Sequence, residues 1–297
     1  MTLFDIDPLT EPAAPEGPLV RVRMLVAYDG REFRGFAVNR DVPTVAGSLG
    51  SAIARHLRLP HVKISCAGRT DAGVHAWGQV AHIDIPEELP SGRKLDLHAL
   101  QRSCNRSLAP PIVVRAIDLA PEGFHSRWSA ISRSYRYTIV NRPVPDPFLA
   151  GTAWHVDQPL DMAAMQKACD ALIGEHDFTT FCKKSPDNGS LVRRITDTTW
   201  RDLGDGIMRF DISASSFCHQ MVRSVVGTLA EVGLGRRVAG DMAWTLRARD
   251  RNQAGPPAPP HGLCLWEVGY PPELGLRSES GPPMGLRGEE AEWERGS

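Results

Sequence analysis

Two runs of alternating hydrophobicity flank a short glycine-framed segment, and this arrangement limits what the chain can fold into more than any other feature. Upstream, Val62-Lys63-Ile64-Ser65-Cys66 alternates with a period of two, and downstream Gln79 to Ile85 does so again, with Ala81, Ile83 and Ile85 on one face. Between them lies Gly68-Arg69-Thr70-Asp71-Ala72-Gly73-Val74-His75-Ala76. Two strands thus hold a loop whose glycines permit backbone angles closed to other residues, so that Arg69 and Asp71 are aimed outward. On spacing alone Asp71 has two readings. It is either a functional carboxylate or the cap of a turn or helix, the ordinary job of an Asp beside Thr and Gly.

The same periodicities lay out the remaining elements. Val20, Val22, Met24 and Val26 alternate as a strand leading into Tyr28-Asp29-Gly30, and Thr44 is placed to cap a helix carrying Val45, Leu49, Ile53 and Leu57. Leu97, Leu100, Cys104 and Leu108 mark a second helix, and Ile112 to Leu119 a strand. In the second half come a strand from Tyr135 to Asn141 and a helix from about Asp161 carrying Met165, Ala168, Cys169 and Leu172. Strands Ile195 to Leu203 and Ile207 to Ser213 follow, joined by Gly204-Asp205-Gly206, whose glycines favour a tight hairpin. A long helix from about Phe217 precedes a last strand, Leu263 to Tyr270. The prolines between Gly255 and Gly262 require a loop there, because they remove donors that helices and central strands need. The pattern is α+β, with helices lying over sheet.

With 297 residues, 42% of them hydrophobic, the chain suits two domains of ordinary size. We divide it into an N-terminal domain over 19–120 and a C-terminal domain over 121–271. The flanking segments 1–18 and 272–297 are rich in Pro, Gly and acidic residues, lack apolar periodicity and are expected to be flexible. No stretch approaches the apolar length that crosses a bilayer, and the N-terminus lacks a basic-then-apolar leader, so a cytoplasmic location is expected. The six cysteines are scattered without a Cys-x-x-Cys pair, and the ten histidines are equally dispersed, so reduced thiols and no metal centre are expected. The net charge of -1 hides an asymmetry. Setting aside -4 from residues 1–18 and -3 from residues 271–297 leaves +6 for residues 19–270, which permits a phosphate-binding face beside the plain reading of a mixed solvated surface.

The segment Arg69 to Ala76 resembles the signature loop of the TruA family of tRNA pseudouridine synthases. Further resemblances follow in collinear order over roughly residues 20 to 270: Tyr28-Asp29-Gly30 with Phe33 and Gly35-Phe36, Phe124-His125-Ser126-Arg127-Trp128-Ser129-Ala130, and Tyr135-Arg136-Tyr137. Then come Gly174-Glu175-His176-Asp177-Phe178-Thr179-Thr180-Phe181 and Phe217-Cys218-His219-Gln220-Met221-Val222-Arg223. The resemblance implies the pseudouridine synthase fold: two α/β domains, each with a mostly antiparallel sheet flanked by helices, and an active-site cleft between them. It also implies a homodimer acting on tRNA, at uridines 38, 39 and 40 of the anticodon stem-loop, without cofactor or metal. Two alternatives stay open on these residues: a catalytically inactive RNA-binding or RNA-folding protein on the same scaffold, and a synthase with a different RNA target. The chain departs from the family's usual Gly-Trp-Gln in having Gly35-Phe36-Ala37, and Val45 is followed by Ala46 rather than Gln. Both departures are expected to lie where the RNA approaches.

Pseudouridine formation detaches uracil from ribose at N1 and rejoins it through C5, so it needs a carboxylate and confinement but no redox partner. By resemblance Asp71 is that carboxylate, and in a poorly hydrated pocket it needs a nearby cation to stay ionised. Arg223 is the candidate partner. Phe217, Met221, Val225, Thr228 and Val232 follow one helical stripe, and Val222, Val226 and Ala230 make the other side apolar, so an Arg on this helix requires an anion. Read without the family, Arg223 is equally a structural ion pair with any carboxylate, or a snorkelling side chain. Tyr135 matches the tyrosine that stacks on the target base, although a Tyr in a strand ordinarily packs in a core. Arg69 resembles a residue that holds the substrate backbone or fills the vacated stack; its plain reading is a surface ion pair. Lys183, Lys184, Arg193 and Arg194 flank the loop from Ser185 to Ser190 and either touch phosphates or are simply solvated.

Overall fold

The computed structural model describes residues 18–92, 94–183 and 189–274. Most of both expected tails, and Lys184 with the loop that follows it, lie outside the described residues. In the first half the elements are β1 (Leu19–Tyr28), α1 (Val45–Leu57), β2 (Ser65–Cys66), β3 (His75–Pro86), α2 (Leu97–Leu108) and β4 (Ile112–Leu119). The second half adds β5 (Ser132–Asn141), β6 (Trp154–Val156), α3 (Met162–Cys169), β7 (Gly174–Asp177) and β8 (Val192–Asp202). It closes with β9 (Ile207–Ala214), α4 (Met221–Gly233), α5 (Asp241–Ala248) and β10 (Leu263–Gly269). This is the expected α+β architecture. Among the described residues no helix is long and apolar enough to cross a membrane.

All the strands join one ten-stranded sheet in the order β4-β1-β3-β10-β5-β9-β8-β7, with β2 added to β3 and β6 to β5. Pairing is antiparallel along most of this path. The exception is the seam between the halves, where β10 runs parallel to β3 through only Cys264↔His75 and Leu265↔Ala76. That seam falls on the last two residues of the glycine-framed segment. Along the central strands every second residue is fully buried on one face: Val22, Met24 and Val26 in β1, Tyr137 and Ile139 in β5, and Leu265 in β10.

Local chemistry explains the helices. Thr44 has extended backbone angles, and its hydroxyl accepts from the Gly47 amide at 3.2 Å, which starts α1 where the sequence placed it. Asp161 does the same for α3 through the Ala164 amide at 2.9 Å. Helix α4 is buried on nearly every face, as its all-round apolar pattern required. It packs so closely on the proline-rich loop that a Cβ at Gly227 would fall 1.8 Å from the Pro256 carbonyl oxygen, so only glycine fits.

Several expectations change in detail. The run Val62 to Cys66 forms a strand only at Ser65 and Cys66, because Val62 instead turns its carbonyl toward Gly50 of α1 and buries its side chain. Helix α4 starts at Met221 rather than Phe217, since Gln220 takes a left-handed backbone (φ 62°) that a helix cannot continue through. Phe36 is 1% exposed and packs 6.0 Å from the Tyr28 ring, and Ala46 is also buried. Phe36 and Ala46 are therefore core residues, while Ala37 is partly exposed.

His82 on β3 illustrates how burial sets pH dependence. Its Nδ1 accepts from the Ser126 amide at 3.2 Å, and burial, aided by the nearby Arg21 and His125, pushes its pKa down to about 4. An unfolded histidine titrates near 6.5, so between these values the unfolded chain binds the extra proton. Stability is then fully present above about pH 6.5 and is lost as pH falls toward 4, by about 2 to 3 kcal/mol. Urea denaturation at a series of pH values should show that slope in the wild type and a flatter one in His82→Gln; equal slopes would exclude His82 as its source.

Candidate active site

The segment leaving β2 is fixed before any functional group is considered. Gln79 Nε2 donates to the Gly68 carbonyl at 2.8 Å, and the Tyr28 hydroxyl bonds the Thr70 hydroxyl at 2.7 Å. Backbone bonds tie the loop to residues 33–36: Phe36 N to Thr70 O at 3.2 Å and Gly73 N to Phe33 O at 3.2 Å. The approach is close enough to require glycine on the supporting side. A Cβ at Gly30 would lie 2.1 Å from the Val74 carbonyl oxygen, and Gly35 has φ +101° with the Thr70 carbonyl oxygen 2.9 Å from its Cβ position. The Tyr28-Asp29-Gly30 and Gly35-Phe36 motifs are thus the backing of the loop.

Held this way, the Asp71 carboxylate faces the start of α4. Arg223 Nη1 donates to Asp71 Oδ2 at 3.4 Å, and His219 Nε2 lies 3.3 Å from Oδ1, so each oxygen has its own nitrogen. Arg223 is aimed by its own backbone neighbours: Nε donates to the Ala258 carbonyl at 2.7 Å, while the Ala258 amide donates to the Arg223 carbonyl at 2.9 Å. The side chains of Asp71 and Arg223 are 21% and 15% exposed, and His219 is 42% exposed, so the carboxylate sits at the floor of a recess with the imidazole at its rim. In such partial burial the Asp71–Arg223 attraction is stronger than it would be in water.

Tyr135 on β5 is buried, with its ring edge-on to Phe217 at a centroid distance of 5.1 Å. Burial raises its phenol pKa, and the negative charge of Asp71 raises it further, so the hydroxyl keeps its proton beside the carboxylate. Asp71, Arg223 and Tyr135 are therefore brought together. Arg69 is not part of that cluster: it is exposed, and among the described residues its side chain makes no ion pair or hydrogen bond. Arg193 Nη1 donates to the nearby carbonyls of Ser190 and Val192, and Arg194 lies 3.7 Å from Glu175, so both have local partners.

Two residues of this site escaped the sequence reading. His219 precedes Arg223 by four residues, the spacing of one helical face, and that was the signal available. Its position rests instead on the left-handed Gln220 and on the Lys183 amide, which donates to the His219 carbonyl at 3.0 Å. Arg133 left no signal beyond its charge. It is 8% exposed, and its guanidinium donates to four carbonyls, those of Ala67, Arg127, Ala130 and Ser215, at 2.9 to 3.1 Å. It therefore joins the root of the Asp71 loop to the segments before β5 and before His219.

Comparison with known proteins shows the family. A family model described as tRNA pseudouridine synthase matches residues 168–271, which include His219 and Arg223. The chain is 41% identical over 250 residues to tRNA pseudouridine synthase A of Caulobacter vibrioides, covering 84% of this chain and 98% of that one. It is 40% identical over 264 residues to the protein of the same name from Frankia casuarinae, covering 88% and 94%. The Bacillus subtilis protein of that name is 36% identical over 252 residues, covering 84% and 99%. The chain belongs to the tRNA pseudouridine synthase family. As a member it is an isomerase, and the Asp71 recess is this synthase's candidate active site.

If Gly35 is required to back the loop, Gly35→Ala should free the loop from its support before it unfolds the domain. Hydrogen exchange at the Phe36 and Gly73 amides should then speed up by about tenfold or more, while the amides paired between β1 and β3 keep their protection. Uniform acceleration across the sheet would show instead that Gly35 serves global stability alone.

Proposed function

We propose that this synthase converts uridine to pseudouridine in tRNA, at positions 38, 39 and 40 of the anticodon stem-loop. Asp71 is the reacting carboxylate in this reading. The observation that carries it is the Asp71 carboxylate in a recess, with Arg223 donating to Oδ2 and His219 Nε2 3.3 Å from Oδ1. Cleavage of the N1–C1′ bond begins either with attack by Asp71 on C1′ or with removal of the C2′ proton, and both require an ionised, correctly aimed oxygen. Arg223 keeps the charge on that oxygen as water is excluded by the bound nucleotide. The overall change moves one proton from C5 to N1 and one bond from N1 to C5, so it balances without cofactor or metal.

Reaching a paired or stacked uridine requires extruding it from the helix. Tyr135 then lies against the flipped base, its hydroxyl protonated, and Phe217 braces the ring from the side. Arg69, exposed at the loop two residues before Asp71, is suited to the RNA backbone or to the gap left in the stack. We further propose that the chain works as a homodimer in the cytoplasm. The relatives' names supply the substrate class; the numbered positions and the residue roles rest on the motif resemblance and on the geometry above.

Asp71→Asn removes charge with little change of volume and tests this directly. Single-turnover assays on a tRNA transcript should show product formation falling by at least about 10³-fold, with RNA affinity close to wild type and the protein still folded at the assay temperature. Appreciable product from the variant would remove Asp71 from its role. Wild-type binding to tRNA without any product would favour the RNA-binding alternative, and mapping of total RNA with and without the gene would show which uridines are converted.

A further inference from the structure

Just before β5, the segment from Phe124 to Ile131 carries an exposed aromatic on a backbone that is unusually well fixed. Phe124 is buried, packing 5.2 Å from the Tyr270 ring, and Ser126 is fully buried with its carbonyl accepting from the Tyr270 hydroxyl at 2.6 Å. The imidazole of His125 accepts from the amides of Arg127 at 3.1 Å and Trp128 at 3.3 Å, and the His125 carbonyl accepts from Ser129 N at 3.0 Å. Arg133 holds the Arg127 and Ala130 carbonyls, and the Ile131 amide donates to Gly269 at 2.9 Å. Out of this closed turn Trp128 projects with 72% of its surface in solvent, and Ile131 nearby is 59% exposed. Scattered apolar residues on a surface need no explanation, but a large ring held rigidly in water is already organised for a partner.

Charge and position say which partner fits. The Arg127 guanidinium lies 4.5 Å from the Trp128 ring centroid, and Arg127 itself is exposed. Among the described residues neither Arg127 nor Arg69 is paired with a carboxylate. Arg133 Nη2 donates at 3.0 Å both to Arg127 O and to Ala67 O, so one guanidinium couples the Trp128 turn to the root of the loop bearing Arg69 and Asp71. Arg69 follows Ala67 by two residues and, like Arg127, is exposed. An exposed ring that carries one guanidinium over it, with the exposed Arg69 on the coupled loop, matches a nucleotide, whose base stacks on the ring's exposed surface while its flanking phosphates meet the guanidinium groups.

We propose that Trp128 and Arg127, with Arg69, form an RNA-binding subsite outside the Asp71 recess, where an unpaired nucleotide neighbouring the target stacks on Trp128. This rests on the tRNA reading given above. The subsite holds the strand that the extruded uridine leaves behind, and its rigidity means that little order has to be imposed on the protein when RNA arrives.

The test compares wild type, Trp128→Phe, Trp128→Ala and Arg127→Gln for binding to a tRNA transcript at several salt concentrations, with single-turnover rates at saturating RNA and with sedimentation of the free proteins. Trp128→Ala should weaken binding by about tenfold or more and Trp128→Phe by much less, since either aromatic face stacks. In Trp128→Ala the loss should fall on affinity, with the rate at saturating RNA reduced by no more than about threefold. Arg127→Gln should lower the slope of log affinity against log salt by about one. Unchanged affinity in Trp128→Ala, with melting temperature and wild-type binding intact, overturns the subsite. So does a shift in self-association without a change in RNA binding, which would make the turn a protein contact. A wild type that binds tRNA but forms no product refutes the enzyme reading alone, and the Trp128 comparison still stands or falls on affinity.

Discussion

The contact between Asp71 and Arg223, 152 residues apart in sequence, is the interaction around which the site is arranged. Asp71 belongs to a loop rooted in the first half of the sheet, and Arg223 to a helix packed on the second. Among the described residues the strands of the two halves pair through only two parallel register pairs, between β3 and β10. Any shift of that seam moves the carboxylate away from the guanidinium. The seam begins at His75 and Ala76, directly after the loop, so the strand pairing that unites the sheet also sets where Asp71 can lie.

Each side of the contact is buttressed separately. On the Asp71 side, residues 28–36 press against the loop so closely that Gly30 and Gly35 cannot carry side chains without displacing it. On the Arg223 side, the guanidinium is anchored to Ala258, and Gly227 lets α4 sink onto the proline-rich loop that presents this carbonyl. A partly buried ion pair contributes little net stability once both charges have lost water. Its value here lies in placement: it fixes where the Asp71 carboxylate lies relative to α4.

Much of this was legible in the sequence because local rules and tertiary structure agree. The period-two runs at β1 and β5, the Thr44 cap of α1 and the Gly204-Asp205-Gly206 hairpin each carry their own chemistry. The all-round apolar pattern of α4 implied that Arg223 must meet an anion, and the signature loop supplied Asp71. What escaped has a common cause. His219 acquires its position from a left-handed neighbour and a backbone bond to Lys183, and Arg133 from four carbonyls on separate segments, so beyond the four-residue spacing of His219 from Arg223 neither leaves a trace in the pattern. The short strands β6 and β7 and helix α5 were missed because pairing and packing across the fold, rather than local pattern, define them. The burial of Phe36 against Tyr28 likewise depends on residues 33–36 folding back over the loop.

The coupling between Asp71 and Arg223 is directly measurable. Unfolding free energies of wild type, Asp71→Asn, Arg223→Gln and the double variant form a cycle in which the loss of the Ala258 hydrogen bond cancels, leaving the pairwise term. The expected coupling is about 1 kcal/mol or more, with each single variant leaving one charge or dipole in the recess without its partner. Additivity within about 0.5 kcal/mol would contradict the claim that these two side chains hold the site together across the sheet.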